Sequence, residues 1–283
     1  RPDEGAGKTP GDRTASFALE SGVAIRGGYA GFGEPVPDAR DIEAHETILT
    51  GDLGGNDEPG FGRIDENSHH VVEARAAGAT AVLDGFTISG GNANGPYDAS
   101  DHLGGGAYLE DTSAVLVRCT FESNAGRSGG GLFIRRGRPM LRSCRFLWNR
   151  AGTLEETSGA GGAIFDHEGA PLLVDCLVSG NVAGANGGGM YVWGGDATAV
   201  NCVFEKNVAH FGDGGLALGL ECAPVLAGCI IRGNTCHEGG AAIYSNESHP
   251  SLFNCTILGN KAVGEAGGIR AYVHSRPTLA NCI

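Results

Sequence analysis

The sequence lacks any apolar run of the eighteen or so residues that a membrane-spanning helix needs. Methionine and tryptophan are scarce, with two of each, which favours a narrow core of small and β-branched side chains. Positive charge is short as well, and the net charge of −13 opposes binding to nucleic-acid backbones or anionic membranes. No segment has the periodicity of an amphipathic helix. We therefore expect no membrane span in this segment and no nucleic-acid partner.

Glycine is abundant instead, with 50 of 283 residues. Collagen is excluded because glycine does not recur at every third position and proline is ordinary. The glycines are therefore expected to serve turns.

A cysteine recurs every 25 to 32 residues over most of the chain. An apolar residue stands two positions after nearly every such cysteine, an asparagine follows at five, and a glycine pair or triplet comes next. A repeat of this length is typical of a solenoid. The cysteines are Cys119, Cys144, Cys176, Cys202, Cys229, Cys255 and Cys282, and the asparagines are Asn124, Asn149, Asn181, Asn207, Asn234 and Asn260.

Each repeat of about 26 residues contains two or three short extended segments separated by turn residues, which predicts one coil of a parallel β-helix. Equivalent residues of successive coils then stack about 4.8 Å apart. The cysteine and the apolar residue should face inward, and the position between them outward. We expect the asparagines to form a turn ladder, because Asn tolerates left-handed backbone angles and its amide can bond the Asn above and below.

Weaker repeats begin near Gly22, Thr47, His69 and Ala81. The predicted organisation is an N-terminal cap or pre-coil segment at 1–20 and a single β-helix domain at 21–283. Since the last residues, RPTLANCI, stop inside a repeat, we expect the domain to be truncated at its C-terminal end and further domains of the same chain to be missing.

The pairs FESN with GGGL and FLWN with GGAI resemble the FxxN and GGA(I/L/V) motifs of polymorphic outer-membrane protein repeats. The segments GVAIRGGYAGFGE, TILTGD and LDGFTISGGNA are similar to secreted bacterial proteins of the pectin-lyase-like superfamily. The resemblance implies an all-β, right-handed parallel β-helix, here of roughly ten coils. It does not imply an activity, because the superfamily holds lyases, hydrolases and adhesins, and the Asn-Thr-Asp, Asp-Asp and Gly-His-Gly motifs of polygalacturonase-like hydrolases are absent.

The chain has no CxxC pair, and Cys222 and Cys236 lie outside the repeat, so a zinc site is disfavoured. Stacked cysteines have side chains that run parallel, which favours buried free thiols. Secretion would favour oxidation, and both states remain open.

Two long loops, at 91–103 and 150–160, should leave the same edge of the solenoid and flank a groove. Carboxylates beside histidine suit acid-base chemistry or metal coordination, but acidic, glycine-rich loops are also ordinary solvated surface. The groove residues would be Asp98, Asp101, His102, Arg127, Glu155 and Glu156.

A second column follows the glycines and, if it faces outward, forms an aromatic strip suited to sugar rings, with hydrogen-bonding side chains beside it. If it faces inward it is core. Asp166, His167 and Glu168 are weak catalytic candidates, with Asp166 and Glu168 on one side of the strand as a retaining pair. The column is Tyr108, Phe133, Phe165 and Tyr191, then Ala217, Ile243 and Arg270; its polar neighbours are Arg135, Arg136, Asp166, His167, Glu168 and Trp193.

The segment 51–68 is rich in oxygen ligands, with Asp52, Asp57 and Asp65 as weak candidates for Ca²⁺, the only cofactor considered. Its spacing is not that of an EF-hand, and a plain Asx-turn loop is the favoured interpretation of the segment.

These patterns favour a binding or adhesive scaffold, extracellular or on the outer surface of a bacterium, with a polysaccharide or cell-surface glycan as partner. The alternative is a polysaccharide lyase or glycoside hydrolase with its active site in a groove on the flank. A third interpretation is a passenger stalk whose function resides in other domains.

Overall fold

The computed structural model describes residues 1–4, 7–96, 100–152, 158–210, 212, 214–237, 239–240, 242–263 and 266–283. Within these residues, 33 strands form four sheets in which every strand pair is parallel, and the one helix is a short 3₁₀ turn at Ser100–His102. In the part of the chain so described, no helix has the length and apolar character to cross a membrane. The chain folds as an all-β, right-handed parallel β-helix, as predicted.

Sheet A contains nine strands whose side chains alternate between the core and the surface. It is the face that carries the aromatic column. Its strands are β1 (Phe17–Ala18), β4 (Val72–Arg75), β8 (Ala107–Glu110), β12 (Leu132–Arg135), β16 (Ile164–His167), β20 (Met190–Trp193), β24 (Leu216–Gly219), β28 (Ile243–Asn246) and β32 (Ile269–Tyr272).

Sheet B follows sheet A in each coil and also has nine strands. Its central residues, such as Leu116, Leu141 and Leu173, are fully buried. Its strands are β2 (Ala24–Arg26), β5 (Val82–Asp84), β9 (Val115–Val117), β13 (Met140–Arg142), β17 (Leu172–Val174), β21 (Thr198–Val200), β25 (Val225–Ala227), β29 (Ser251–Phe253) and β33 (Thr278–Ala280).

Sheets C and D complete each coil, and sheet D is made of two-residue strands after the asparagine turn. Sheet C consists of β3 (Ile48–Thr50), β6 (Thr87–Ser89), β10 (Thr120–Glu122), β14 (Arg145–Leu147), β18 (Leu177–Ser179), β22 (Val203–Glu205), β26 (Ile230–Arg232) and β30 (Thr256–Leu258). Sheet D consists of β7 (Asn92–Ala93), β11 (Ala125–Gly126), β15 (Arg150–Ala151), β19 (Val182–Ala183), β23 (Val208–Ala209), β27 (Thr235–Cys236) and β31 (Lys261–Ala262).

Nine strands in sheets A and B correspond to nine coils, close to the roughly ten predicted. The four weak N-terminal repeats form two coils, because the segments near Gly22 and Thr47 lie in the first coil and those near His69 and Ala81 in the second. The two long connections of this region, 27–47 and 51–71, join β2 to β3 and β3 to β4. Strand β1 lies within residues 1–20 and pairs with β4.

The interior is built from the stacked columns that the repeat predicts. The Phe121 and Phe146 rings are parallel, with centroids 4.8 Å apart, and both are fully buried. The seven ladder cysteines carry free thiols, and each Sγ points at main-chain carbonyls, as Cys144 Sγ does at Leu116 O, 3.4 Å away. Burial raises the pKa of the Cys144 thiol, which is therefore neutral and acts as a small apolar filler.

The asparagines form a continuous buried ladder. The Asn181 main-chain N–H and its Nδ2 both donate to Asn207 Oδ1 at 3.0 Å, and Nδ2 also donates to Phe146 O at 2.9 Å. Asn149 donates to Asn181 Oδ1 in the same way. The asparagines are not themselves left-handed, contrary to the expectation.

The residue before each ladder asparagine takes the left-handed conformation instead. Its φ is 52° at Trp148 and 55° at Lys206, and glycine fills the same position at Gly180 and Gly233. The chain reverses at that residue, and the asparagine then satisfies the main-chain groups that the turn leaves inside.

Candidate functional site

The aromatic column lies on the outer face of sheet A. Tyr108, Phe133, Phe165 and Tyr191 are aligned in register on β8, β12, β16 and β20. The residues on both sides of them, such as Leu132 and Ile134, belong to the core, so alternation directs the rings outward. We call these four residues the aromatic strip.

The register corrects one member of the predicted column. Ala217 pairs with Tyr244 and not with Ile243, and Tyr244 pairs in turn with Arg270. Ile243 is fully buried in the core column. The column therefore regains an aromatic ring after Ala217, and the Tyr244 ring lies 6.4 Å from that of Tyr272.

The aromatic strip is covered at one end and open at the other. Tyr108 and Phe133 are 1% and 3% exposed, because the Arg75 guanidinium lies 4.6 Å above the Tyr108 ring and Phe133 stacks on Tyr108 at 5.7 Å. Phe165 and Tyr191 are half-buried, and their centroids are 5.0 Å apart. The accessible aromatic surface therefore begins at Phe165.

Polar and aromatic side chains border the open part of the aromatic strip. Trp193 is 37% exposed, and its ring lies 5.8 Å from that of Tyr191. His167 lies 6.2 Å from Phe165, ring to ring. A shallow cavity of about 230 Å³ is present here. Its lining consists of Leu103, Phe133, Arg135, Phe165 and His167.

The charges beside the covered end are largely neutralised. Arg75 pairs with Glu73 and Glu110, and Arg135 Nη1 lies 3.5 Å from Glu110 Oε1. Arg136 pairs with Asp111 at 2.8 Å. This part of the surface therefore offers hydrogen-bond donors without a strong net field.

The three catalytic candidates do not converge. Asp166 points inward, is fully buried and aligns with Ile134 and Val192, whereas His167 faces out beside the aromatic strip. Glu168 is exposed in the turn, with φ of 58°. The expected placement of Asp166 and Glu168 on one side of the strand is therefore corrected: the strand alternation puts Asp166 in the core, and the left-handed turn carries Glu168 away.

Only part of the loop groove lies in the described structure, because Asp98, Glu155 and Glu156 fall outside the described residues. His102 Nδ1 lies 3.0 Å from Pro96 O, and Asp101 Oδ1 lies 4.0 Å from His70 Nε2. The first loop reaches the aromatic strip through Leu103.

Arg127 lies on a different surface. The Arg127 main-chain N–H donates to His102 O at 3.0 Å, but its side chain lines a cavity of about 290 Å³ on the outer face of sheet D, with Asp65 and Arg150. The Arg150 guanidinium covers the Phe61 ring there at 4.3 Å. Asp101 and Arg127 thus lie in neighbouring turns, but the Arg127 side chain faces the sheet D cavity and not Asp101.

The sequence did not identify a cavity of about 510 Å³ between the connection 27–47 and the outer face of sheet C. Glu46, Arg118 and Arg145 line it, and Glu46 Oε1 accepts a hydrogen bond from Thr87 at 2.7 Å. Next to it, burial and the Glu46 carboxylate raise the pKa of Glu122. The repeat pattern predicted that Arg145 faces outward. It did not predict where the connection 27–47 lies, because that segment does not repeat.

Of the three calcium candidates, two converge. Asp52 and Asp57 lie together with Glu66, whereas Asp65 is exposed and lines the sheet D cavity. Glu66 was not among the candidates, because carboxylate spacing in an irregular loop does not determine which side chains meet.

Residues 161–283 match the family model described as right handed beta helix region. The match covers less than half of the chain, and together with the four parallel sheets it supports a right-handed parallel β-helix fold. Searches of curated proteins and of solved structures found no match. The specific similarity to polymorphic outer-membrane protein repeats therefore stays a prediction.

Proposed function

We propose that this protein is a secreted or cell-surface scaffold that binds carbohydrate through the open part of the aromatic strip. The observation that carries the proposal is the row of Phe165, Tyr191 and Trp193, partly exposed on the rigid outer face of sheet A. Aromatic faces pack against the apolar faces of sugar rings, while neighbouring polar groups bond the hydroxyls. We place the protein outside the cell, on a bacterial surface, because glycan polymers are met there.

The spacing of the coils suits a linear polymer. Successive strands of sheet A lie about 4.8 Å apart, so a chain laid along the solenoid axis would meet one ring or polar group per coil. Arg135 and His167 border the same cavity and can donate to hydroxyl or carboxylate oxygens. Because strand pairing fixes these side chains, little ordering entropy would be lost on binding.

The test is binding of soluble neutral and uronate-containing polysaccharides by affinity electrophoresis and calorimetry. Trp193→Ala is expected to weaken binding about tenfold, which corresponds to about 1.4 kcal/mol. The matched control is Trp148→Ala, since Trp148 is 60% exposed but follows sheet C on another face. Equal losses in both variants, or no binding to any polymer in the panel, would contradict the proposal.

A lyase or hydrolase is the second candidate, favoured by the cavity on sheet C. Glu122, whose pKa is raised by burial, has the character of a general acid, and Arg145 beside it could hold an anionic sugar. Release of reducing ends or of unsaturated products from the same polysaccharides would support this activity. It should then be lost in Glu122→Gln and kept in Trp193→Ala, which separates the two functions.

A further inference from the structure

A cluster of three carboxylates lies in the connection between β3 and β4, and we propose that it binds Ca²⁺. Asp52, Asp57 and Glu66 each bring one oxygen to within 4.8 Å of the others. The proposal does not depend on carbohydrate binding, since the cluster lies apart from the aromatic strip.

Asp52 organises the loop around the cluster. Its Oδ1 accepts the N–H groups of Gly55 at 2.6 Å and Asn56 at 3.2 Å, and its Oδ2 accepts that of Asp57 at 3.2 Å. This is the Asx-turn that the sequence offered as the alternative. Each carboxylate oxygen has more than one lone pair, so the turn and a cation are compatible.

A second observation points independently to a cation. Asn67 is fully buried, and its Nδ2 donates to Asp57 Oδ2 at 2.9 Å, which holds its carboxamide against the cluster. Asn67 Oδ1 has no hydrogen-bond partner among the described residues, and neither does the buried Oε1 of Glu66. The neighbouring Ser68 Oγ, fully buried beside Gly51, is also without a partner there. Buried oxygens without donors are costly, and a cation satisfies several at once.

The nearby basic side chains are already committed. Arg13 donates to Asn67 O and Asn94 Oδ1, each at 2.6 Å, and to Asn92 O at 3.2 Å. Arg1 pairs with Glu4 at 3.2 Å. Neither arginine forms an ion pair with the cluster in the described structure, although the Arg13 guanidinium interacts electrostatically with Glu66. The three carboxylates therefore still repel one another at this spacing unless a cation joins them.

The donor set selects the kind of metal. The donors that converge are carboxylate oxygens, with the Asn67 carboxamide bonded to Asp57, and this composition suits a hard cation. Ca²⁺ accepts six to eight oxygens in irregular geometry, whereas Mg²⁺ requires a near-ideal octahedron. An irregular loop closed against the first two coils fits Ca²⁺ better.

The experiment is calorimetric titration of EDTA-treated protein with CaCl₂, with thermal unfolding in CaCl₂, MgCl₂ and EDTA. We expect one equivalent of Ca²⁺ to bind and the Tm to rise by a few degrees, with a smaller rise in Mg²⁺. Asp57→Asn and Glu66→Gln should each weaken Ca²⁺ binding about tenfold or more. Asp65→Asn is the matched control and should bind Ca²⁺ like the parent.

The two cluster variants also have an internal check on folding. In EDTA their Tm should equal or exceed that of the parent, because removing one carboxylate relieves the repulsion. Absence of Ca²⁺ binding at 1 mM in the parent, on the order of the weakest extracellular sites, would overturn the proposal. Unchanged binding in Asp57→Asn and Glu66→Gln, or equal loss in Asp65→Asn, would overturn it as well.

Discussion

Asp166 is a core residue whose ionised side chain would destabilise the fold. It is fully buried at a core position of sheet A, in a column whose other members are apolar or small. Burial raises its pKa to about 7, while the Gly169 N–H acts in the opposite direction. Because an ionised carboxylate in the core is costly, the native state holds this proton up to neutral pH.

The resulting pH dependence has a definite sign. Between the unfolded pKa near 3.8 and the folded value of about 7, the native state binds the proton that the unfolded state has lost, so the free energy of unfolding falls as pH rises. Asp166→Asn should remove this slope. The stability of the variant relative to the parent should therefore be greater at pH 8 than at pH 4 by about 2–4 kcal/mol.

Urea unfolding of the two proteins at pH 4, 6 and 8 checks this prediction. Asp175→Asn, at an exposed position, serves as the control and should change stability by no more than about 0.5 kcal/mol at each pH. Identical pH profiles for the parent and Asp166→Asn would mean that the carboxyl is solvated in the native state.

The left-handed conformation before each ladder asparagine is not evident from the residue types at that position. Trp148 and Lys206 adopt positive φ although neither residue favours it, at a cost of about 1–2 kcal/mol each. The stacked hydrogen bonds of the coils above and below hold the conformation. The sequence showed the position only where it was glycine, as at Gly180 and Gly233.

At the scale of elements, the asparagine ladder joins the turns between sheets C and D into one hydrogen-bonded array. Asn207 Oδ1 accepts from the main-chain N–H and Nδ2 of Asn181, and Asn207 Nδ2 donates to Val178 O and to Asn234 Oδ1. All of these groups are buried, so each bond that is broken leaves a partner without water.

Asn207→Leu should therefore destabilise the protein by about 3–5 kcal/mol, because several buried donors and acceptors lose their partner together. Chemical denaturation measures the change. Asn254→Gly, at an exposed position with φ of 53°, should cost no more than about 0.5 kcal/mol. A loss below about 1 kcal/mol in Asn207→Leu would show that the ladder adds little to stability.

At the scale of the whole molecule, each coil contacts only its neighbours, so stability should vary along the axis. The middle coils are covered on both sides. β33 pairs only with β29, Leu279 is 49% exposed and Ile283 is 90% exposed. In a polypeptide of residues 1–283, the last coil therefore has stacking contacts on one side only.

Native-state hydrogen exchange of the polypeptide of residues 1–283 should reveal this gradient. We expect amides of β32 and β33 to exchange at least about a hundredfold faster than those of β14 and β18, because local opening at the end needs fewer contacts to break. β10 belongs to sheet C like β14 and β18 and serves as an internal comparison for these two strands. Uniform protection across these strands would indicate that the solenoid unfolds as one cooperative unit.

The repeat by itself determined the fold, since cysteine, apolar residue and asparagine recur in positions that only stacking explains. The inward columns at Phe121 and Phe146 and the ladder at Asn181 follow from strand alternation and period alone. Strand alternation and period also predicted the aromatic strip, but they did not predict which of its rings are exposed. The Arg75 guanidinium of β4 lies over the Tyr108 ring, and Leu103 lines the cavity beside Phe133 and Phe165. The repeat pattern predicts neither contact.

Only the tertiary structure decided what the non-repeating segments do. The connection 27–47 lies against the first strands of sheet C and forms a cavity of about 510 Å³ with them. The next connection joins Asp52 and Asp57 to Glu66, while Asp65 faces another surface. A repeat fixes a residue by its place in the coil, because every coil supplies the same neighbours. A segment without a period has no such reference, so its contacts arise from folding in three dimensions.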